Sequence, residues 1–298
     1  MQDILWSDNM KISPIFYMGN KRKLIKRGLI NLFPKDIDIF VEPFGGTGIV
    51  SMNVKANKYL INDSNEFLYN LYSLFRTTNS NDVISHIEKR IEEFNLPKER
   101  TKRNEFDNKE KLEQYKKSYM AFRKYCNENK NILDYYTLMF FAFSQQPRFN
   151  SKGEFNMPYG TDCFSENNKK YIEDGCDFFS KNNVMIFNDS FKNFDMGITE
   201  RDFIYLDPPY LNTGATYNEN SAWNIEKENE LYEFCEELNR RNLKFGLSNM
   251  FSHRNNSNQM LIDWCNKNNW KVYDFKGMKY SACGKGNPNA KEVFICNY

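Results

Sequence analysis

Two short apolar strands joined through a glycine turn limit this chain's folding more than any other feature. Ile37–Val41 runs into Glu42-Pro43-Phe44-Gly45-Gly46-Thr47-Gly48, and Tyr59-Leu60-Ile61 follows, ending at Asn62-Asp63. Apolar runs of this length, bounded by turn residues, predict strands buried on both faces, as parallel sheets require. Ile49, Val50 and Met52 predict the start of a helix between them, and Phe67, Leu71 and Phe75 predict another after Asp63. Strand, glycine loop, helix, strand and helix together open a doubly wound α/β sheet of the nucleotide-binding type. The glycines let backbone come close to a ligand. Asp63 lies eighteen residues beyond Gly45, where such a sheet receives ribose hydroxyls. The loop lacks a full G-x-G-x-x-G, which argues against a nicotinamide dinucleotide. Gly284-Lys285-Gly286 lacks the rest of a phosphate-binding loop and reads as a flexible loop.

The rest of the chain extends the alternation and then interrupts it. Residues up to about Met10 read as a tail; Leu24, Ile25, Leu29 and Leu32 then share one face of an amphipathic helix. Residues 77–146 read as helical and lysine-rich, with Tyr115, Tyr119, Phe122 and Tyr125 at helical spacing. Such a stripe is the core face of a helical subdomain. Pro147 to Phe155 predicts a hairpin with Lys152-Gly153 near its tip. Alternation resumes with a helix near 165–181, strands Val184–Phe187 and Phe203–Leu206, and a helix carrying Leu231, Phe234, Cys235 and Leu238. Strand Leu243–Leu247, a helix around 258–267 and strands near 270–275 and 291–297 complete the pattern. The expectation is one α/β domain built from 1–76 and 165–298, with a helical and hairpin insertion at 77–164.

Composition removes several function classes. The seven cysteines are odd in number and never spaced C-x-x-C, and the only histidines are His86 and His253. These counts argue against a disulfide framework and against any zinc or histidine-rich metal centre, so no metal is expected. Neither a secretory leader nor a run of membrane-spanning length is visible, so a cytoplasmic protein with no membrane partner is expected. Net charge is only +2 over 298 residues, but it is unevenly spread. Lys11 to Arg27 holds six basic residues and no acid, Lys98 to Lys124 holds ten against five acids, and Glu219 to Glu237 holds seven acids and one lysine. Segregated basic patches can meet a polyanion, although a charge run is more often a solvated face.

The strand Phe203–Leu206 ends at Asp207-Pro208-Pro209-Tyr210. Ligands of parallel sheets sit beyond the carboxyl ends of the strands. Two prolines stiffen the exit and remove two backbone donors. The result is a carboxylate, bare carbonyls and an aromatic ring in sequence, which suits an amino group on a flat heteroaromatic ring. Asp207 and the Pro208 carbonyl can accept its two hydrogens while Tyr210 stacks on the ring. Drawing those hydrogens out of plane would localise the nitrogen lone pair toward an electrophile. Taken alone, the tetrapeptide fits a plain Pro-Pro turn equally well, with Asp207 as an ordinary turn residue.

The order of motifs resembles one family. Tyr17…Gly19-Asn20-Lys21, then Phe44-Gly45-Gly46-Thr47-Gly48, then an insertion containing Ser151 to Gly160, then Asp207 to Tyr210, is similar to the Dam-type (D12 class, alpha-group) adenine-N6 DNA methyltransferases. Ser281 to Asn287 and Lys291-Glu292-Val293 are similar to that family's C-terminal loop and last strand. The resemblance implies a class I methyltransferase, Rossmann-like sheet and S-adenosyl-L-methionine as cofactor. It implies contacts to that cofactor from Tyr17, Lys21, Phe44, Gly45, Gly46, Gly48, Asp63, Phe191 and Asp207. Asp207, Pro208, Pro209 and Tyr210 would be catalytic, with the 77–164 insertion as target-recognition region. Arg148, Lys152 and Pro158 would meet double-stranded DNA, whose target base must be flipped out of the stack. A cognate restriction endonuclease is a candidate partner. Ser144-Gln145-Gln146-Pro147 stands where the family usually has Asn-Gly, which leaves the recognised site open. Cytosine-C5 transfer would need a thiolate, usually presented as Pro-Cys, and no Pro-Cys occurs. RNA or cytosine-N4 methylation and a catalytically silent DNA-binding module remain the alternatives.

Overall fold

Side chains alternate along the strands so that both faces of one sheet are buried. The computed structural model describes residues 10–17, 19–100, 109–194, 197–211, 223–253, 256–275 and 290–298. Its strands are β1 (Ile37–Glu42), β2 (Ala56–Asn62), β3 (Val184–Phe187), β4 (Phe203–Leu206), β5 (Lys244–His253), β6 (Asn256–Ser257), β7 (Lys271–Asp274) and β8 (Lys291–Cys296). They form one sheet in the order β3-β2-β1-β4-β5-β8-β7, with β6 paired to β5. Pairs β3–β2, β2–β1, β1–β4 and β4–β5 are parallel, whereas β8 lies antiparallel to β5 and β7. The chain moves outward from β1 on one side and resumes at β4 on the other. The β1/β4 boundary is therefore the switch point where a ligand crevice forms.

Packing follows the alternation. Phe40, Phe203, Tyr205, Phe294 and Cys296 face one cluster, while Val41, Ile204, Leu206, Val293 and Ile295 face the other. The first cluster is covered by α1 (Arg22–Lys26), α2 (Glu66–Thr77), α3 (Ser80–Glu93), α4 (Lys109–Asn129), α5 (Ile132–Met139) and α6 (Glu166–Lys181). The second is covered by α7 (Ile225–Arg240) and α8 (Gln259–Asn268), with Leu231, Phe234, Cys235 and Leu238 buried as their spacing predicts. Asparagine side chains cap α2, α3, α5, α7 and α8 by accepting backbone N–H groups, which satisfies donors that have no partner inside the helix.

Among the described residues, the helices of the 77–164 stretch share the main core. Val83 and Ile87 of α3, Tyr119 and Phe122 of α4 and Tyr136 of α5 belong to the same buried cluster as the strand residues Phe40 and Ile61. Tyr119 and Phe122 of the aromatic stripe are fully buried, as expected of a core face. Two expectations are corrected. The helix predicted from Ile49 is only a 3-10 turn, Ser51–Asn53, because β2 already begins at Ala56 and leaves no length for more. The amphipathic helix predicted through Leu32 stops at Lys26, and a separate 3-10 turn, Leu29–Leu32, follows the left-handed Gly28. The N-terminal tail, the loop Ser281–Asn287 and the Gly284-Lys285-Gly286 segment lie outside the described residues.

Candidate active site

The glycine loop turns sharply against the end of β2. A Cβ on Gly45 would stand 2.8 Å from Ile61 Cγ2 and from Tyr72 Oη and 3.0 Å from the Asn62 carbonyl, so only hydrogen fits there. Gly46 is left-handed at φ 53°, and a Cβ there would meet nothing within 4 Å, so the loop faces open space at this residue. Its N–H donates to Asp63 Oδ2 at 2.8 Å, and Asn65 N–H donates to Asp63 Oδ1 at 2.8 Å. Tyr72 Oη donates to the Gly46 carbonyl at 2.6 Å. Asn62 secures a second loop, donating to the Pro43 and Asp189 carbonyls and accepting from Asp189 N–H. That latch carries Ser190-Phe191 beside the glycine loop, where the Phe191 and Phe44 rings stack at 5.1 Å. Trp223 lies edge-on to Phe44 at 5.7 Å and is held by Glu228, which accepts from its indole N–H.

Asp63 is half-buried, and loss of solvation pushes its carboxyl up to about 6, with the Asn65 and Gly46 N–H groups working the other way. Each oxygen keeps a lone pair beyond the backbone donor it already serves. A carboxylate able to receive hydroxyls, two aromatic faces and exposed backbone in one crevice make a donor set that fits a nucleoside. Asn65 also reaches Tyr17 Oη at 3.4 Å, which brings Tyr17 to this rim.

Across the switch point, Asp207 leaves β4 beside the glycine loop. Lys21 Nζ sits 2.7 Å from Asp207 Oδ2 and 3.6 Å from Glu292 Oε1, and it donates to the Gly19 carbonyl at 2.9 Å. The same ammonium lies 5.1 Å from the Tyr210 ring centre, a cation–π contact. Lys21 is only 5 % exposed, whereas Asp207 keeps 16 % of its side chain in solvent. A lysine at the mouth of a first turn would ordinarily be solvated; here two carboxylates hold it inside. Tyr210 Oη lies 2.6 Å from Glu292 Oε1 and 3.3 Å from Asp207 Oδ1. Burial raises the carboxyl of Asp207 and Lys21 pulls it back. Glu292 is raised for the same reason, with Lys21 again opposing.

Two acids of this neighbourhood escaped the sequence reading. Glu42, at the end of β1, is buried and accepts from Ser51 N–H and Oγ. Desolvation pushes its carboxyl up to about 8, with Asp207 and Asp63 adding to the rise. Glu292 was visible only as part of a terminal strand. In both cases the signal was a lone acid next to an otherwise apolar run.

The residues assigned to DNA lie on the hairpin, whose Phe149 ring sits 5.1 Å from that of Phe67 in α2. Phe149 bridges Phe155, and Tyr119 Oη and Arg123 of α4 donate to the Met157 carbonyl. Arg148, Lys152 and Pro158 are all exposed. Arg148 donates to Asn156 Oδ1 at 2.8 Å and to its carbonyl at 3.2 Å. Just before them, Ser144 and Gln145 are both left-handed, at φ 57° and 52°. The backbone therefore takes a form that Asn-Gly would adopt easily, although other residues occupy it. Phe143, not singled out from the sequence, is 49 % exposed beside them.

The D12 class N6 adenine-specific DNA methyltransferase family matches residues 17–276, which takes in the glycine loop, Asp63, the hairpin and Asp207 to Tyr210. The chain belongs to this family. Among curated proteins it is 36 % identical over 300 residues to the modification methylase StsI of Streptococcus sanguinis, covering 96 % of this chain and 43 % of that protein. Type II methyltransferase M.FokI of Planomicrobium okeanokoites is 33 % identical over 297 residues, with the same coverage of each chain. The DNA adenine methylase of Escherichia coli K12 is 26 % identical over 219 residues, covering 71 % of this chain and 72 % of that protein. The chain thus spans less than half the length of StsI and M.FokI. As a D12 methyltransferase it carries the mostly parallel α/β sheet that the resemblance implied. The family is described by transfer to N6 of adenine in DNA. Among the described residues no helix is long and apolar enough to cross a membrane, and no cluster of acids, histidines or cysteines could hold a metal.

Proposed function

We propose that the chain transfers a methyl group from S-adenosyl-L-methionine to N6 of an adenine flipped out of double-stranded DNA, at a specific site. The observation that carries this is Asp207 and its prolines at the end of β4, directly across the sheet's switch point from the glycine loop and Asp63. When bound, the cofactor supplies a methyl carried on a sulfonium. Asp63 accepts the ribose hydroxyls. Phe191 offers an aromatic face to its adenine, and Phe44, Gly45, Gly46 and Gly48 line its methionyl portion, with Tyr17 at the rim. Lys21 holds Asp207 in place from the cofactor side.

Asp207 and the Pro208 carbonyl accept the two hydrogens of the target amine, and Pro209 stiffens the exit that aims them. Tyr210 presents its ring to the base. Held this way, the amine nitrogen directs its lone pair at the methyl carbon. Asp207 and Pro208 would hold that lone pair in line with the methyl group the cofactor would supply, and Asp207 would pass the proton that the nitrogen loses on to solvent. No covalent enzyme intermediate is involved. Arg148, Lys152 and Pro158 meet the DNA from the hairpin, and the insertion 77–164 recognises the target. Because relatives are named modification methylases, a restriction endonuclease of the same specificity is the proposed partner, and the cytoplasm its compartment.

The test is incubation with methyl-labelled cofactor and either duplex DNA or structured RNA, followed by digestion to nucleosides. Label in N6-methyladenine from duplex DNA is expected. Label in N4-methylcytosine or in RNA alone would replace this reading, and binding to DNA without label would favour a silent binding module.

A further inference from the structure

Glu292 is a buried acid with no part in the reaction described above. It is the second residue of β8, whose following residues Val293, Phe294, Ile295 and Cys296 are all buried and apolar. Because β8 runs antiparallel to β5, with Glu292 opposite Met250, its first residues lie at the edge where β4 and β5 end. Glu292 is 3 % exposed and shares Lys21 with Asp207. Two carboxylates around one ammonium in a buried site are poorly matched, since each ion loses its hydration and the two repel. A neutral residue here would serve stability better, so the second carboxylate calls for a functional reason.

Proton counting supplies one. The Tyr210 hydroxyl has a single hydrogen and two carboxylates within reach, Glu292 Oε1 at 2.6 Å and Asp207 Oδ1 at 3.3 Å. The shorter contact takes the hydrogen. Among the described residues Asp207 Oδ1 then receives no strong donor, while Oδ2 is bound to Lys21 at 2.7 Å. Accepting an amine hydrogen needs an oxygen that is not already saturated. Without Glu292, the hydroxyl and the ammonium would both turn to Asp207 and satisfy it.

We propose that Glu292 is a positioning residue for methyl transfer: it draws the Tyr210 hydroxyl and part of the Lys21 ammonium away from Asp207, so that one Asp207 oxygen stays open to the substrate amine. The assignment rests on the transfer reaction proposed above. In this role Glu292 acts through Tyr210 and Lys21.

Steady-state kinetics of the full chain on duplex DNA, with S-adenosyl-L-methionine as donor, test this. Glu292→Leu, which removes the acceptor of the Tyr210 hydroxyl, should lower kcat on the order of 10- to 100-fold, as losing an orienting partner does, with KM for cofactor and DNA within about threefold of the unmodified chain. Glu292→Asp, which keeps the charge, should recover part of the loss. Combining Glu292→Leu with Tyr210→Phe should be no slower than Glu292→Leu alone, because the hydroxyl that would saturate Asp207 is gone. A kcat for Glu292→Leu within about twofold of the unmodified chain overturns the assignment. So does a loss confined to KM, or single losses that simply multiply in the double variant. If Glu292→Leu is recovered only unfolded, Glu292→Ala takes its place: a kcat within about twofold of the unmodified chain rejects the role and a reduced kcat at unchanged KM supports it. An unmodified chain that transfers no methyl counts against the proposed reaction itself; an active chain indifferent to Glu292 overturns only this assignment.

Discussion

Asp63 shows how one side chain can couple loop structure to ligand binding. Its two oxygens hold the N–H groups of Gly46 and Asn65, and its carboxyl is raised to about 6. Above that pH it is an anion able to accept further hydroxyls; below it, protonation removes acceptor capacity. Calorimetric titration with S-adenosyl-L-methionine should therefore show binding weakening as pH falls from 7 to 5, and Asp63→Asn should bind weakly and flatten that dependence. A constant affinity across this range in the unmodified chain would remove Asp63 from the cofactor site. Asp63 was legible because a strand end after a glycine loop is a recurring place for an acid. Asp207 was legible from the prolines that follow it. Lys21 was legible only by motif, since nothing local says that a lysine in a basic stretch will be 5 % exposed. Its burial comes from Asp207 and Glu292, far away in sequence. Glu292 was read only as part of the last strand, since its partners come from the residue before α1 and from the exit of β4.

At the scale of elements, the strands and most helices were readable because their apolar periods are clean and their ends carry asparagine or serine. The helix expected after the glycine loop failed on length, which no residue pattern reports: β2 must begin at Ala56 to pair with Ile37 of β1. The hairpin was anticipated from Lys152-Gly153, but its approach was not, because left-handed Ser144 and Gln145 break their ordinary preference. Each such residue costs roughly 1–2 kcal/mol relative to glycine. Gln145→Gly should accordingly raise the free energy of unfolding by about 1 kcal/mol in urea titrations; an unchanged or lower value would mean that the turn is held by its side chains. The hairpin's role in target choice is tested by Arg148→Ala. Mapping of methylated sites should show relaxed or lost site preference, and an identical site pattern would remove the hairpin from recognition.

Over the whole molecule, one sheet supplies both the crevice and its buried acids, and stability should carry their signature. Glu42 is raised from 4.5 to about 8 by burial, with Asp207 and Asp63 close enough to add to the rise. The folded chain holds that proton more tightly than the unfolded chain. Its contribution to stability is thus complete below pH 4.5 and is lost as pH rises through about 8. Thermal unfolding should show a Tm that declines as pH rises from 4.5 to about 8, and Glu42→Gln should flatten the decline while still accepting from Ser51; a decline unaffected by the substitution would assign it to other groups. The central claim is that the Asp207 carboxylate orients a ring-bound amine for attack. It is tested most directly by single-turnover formation of N6-methyladenine in duplex DNA, comparing the unmodified chain with Asp207→Asn at saturating cofactor. The rate should fall on the order of 10²- to 10³-fold, the loss expected for removing one preorganised polar partner of a transition state, while cofactor affinity changes little. An Asp207→Asn chain that methylates adenine at the unmodified rate would contradict the account.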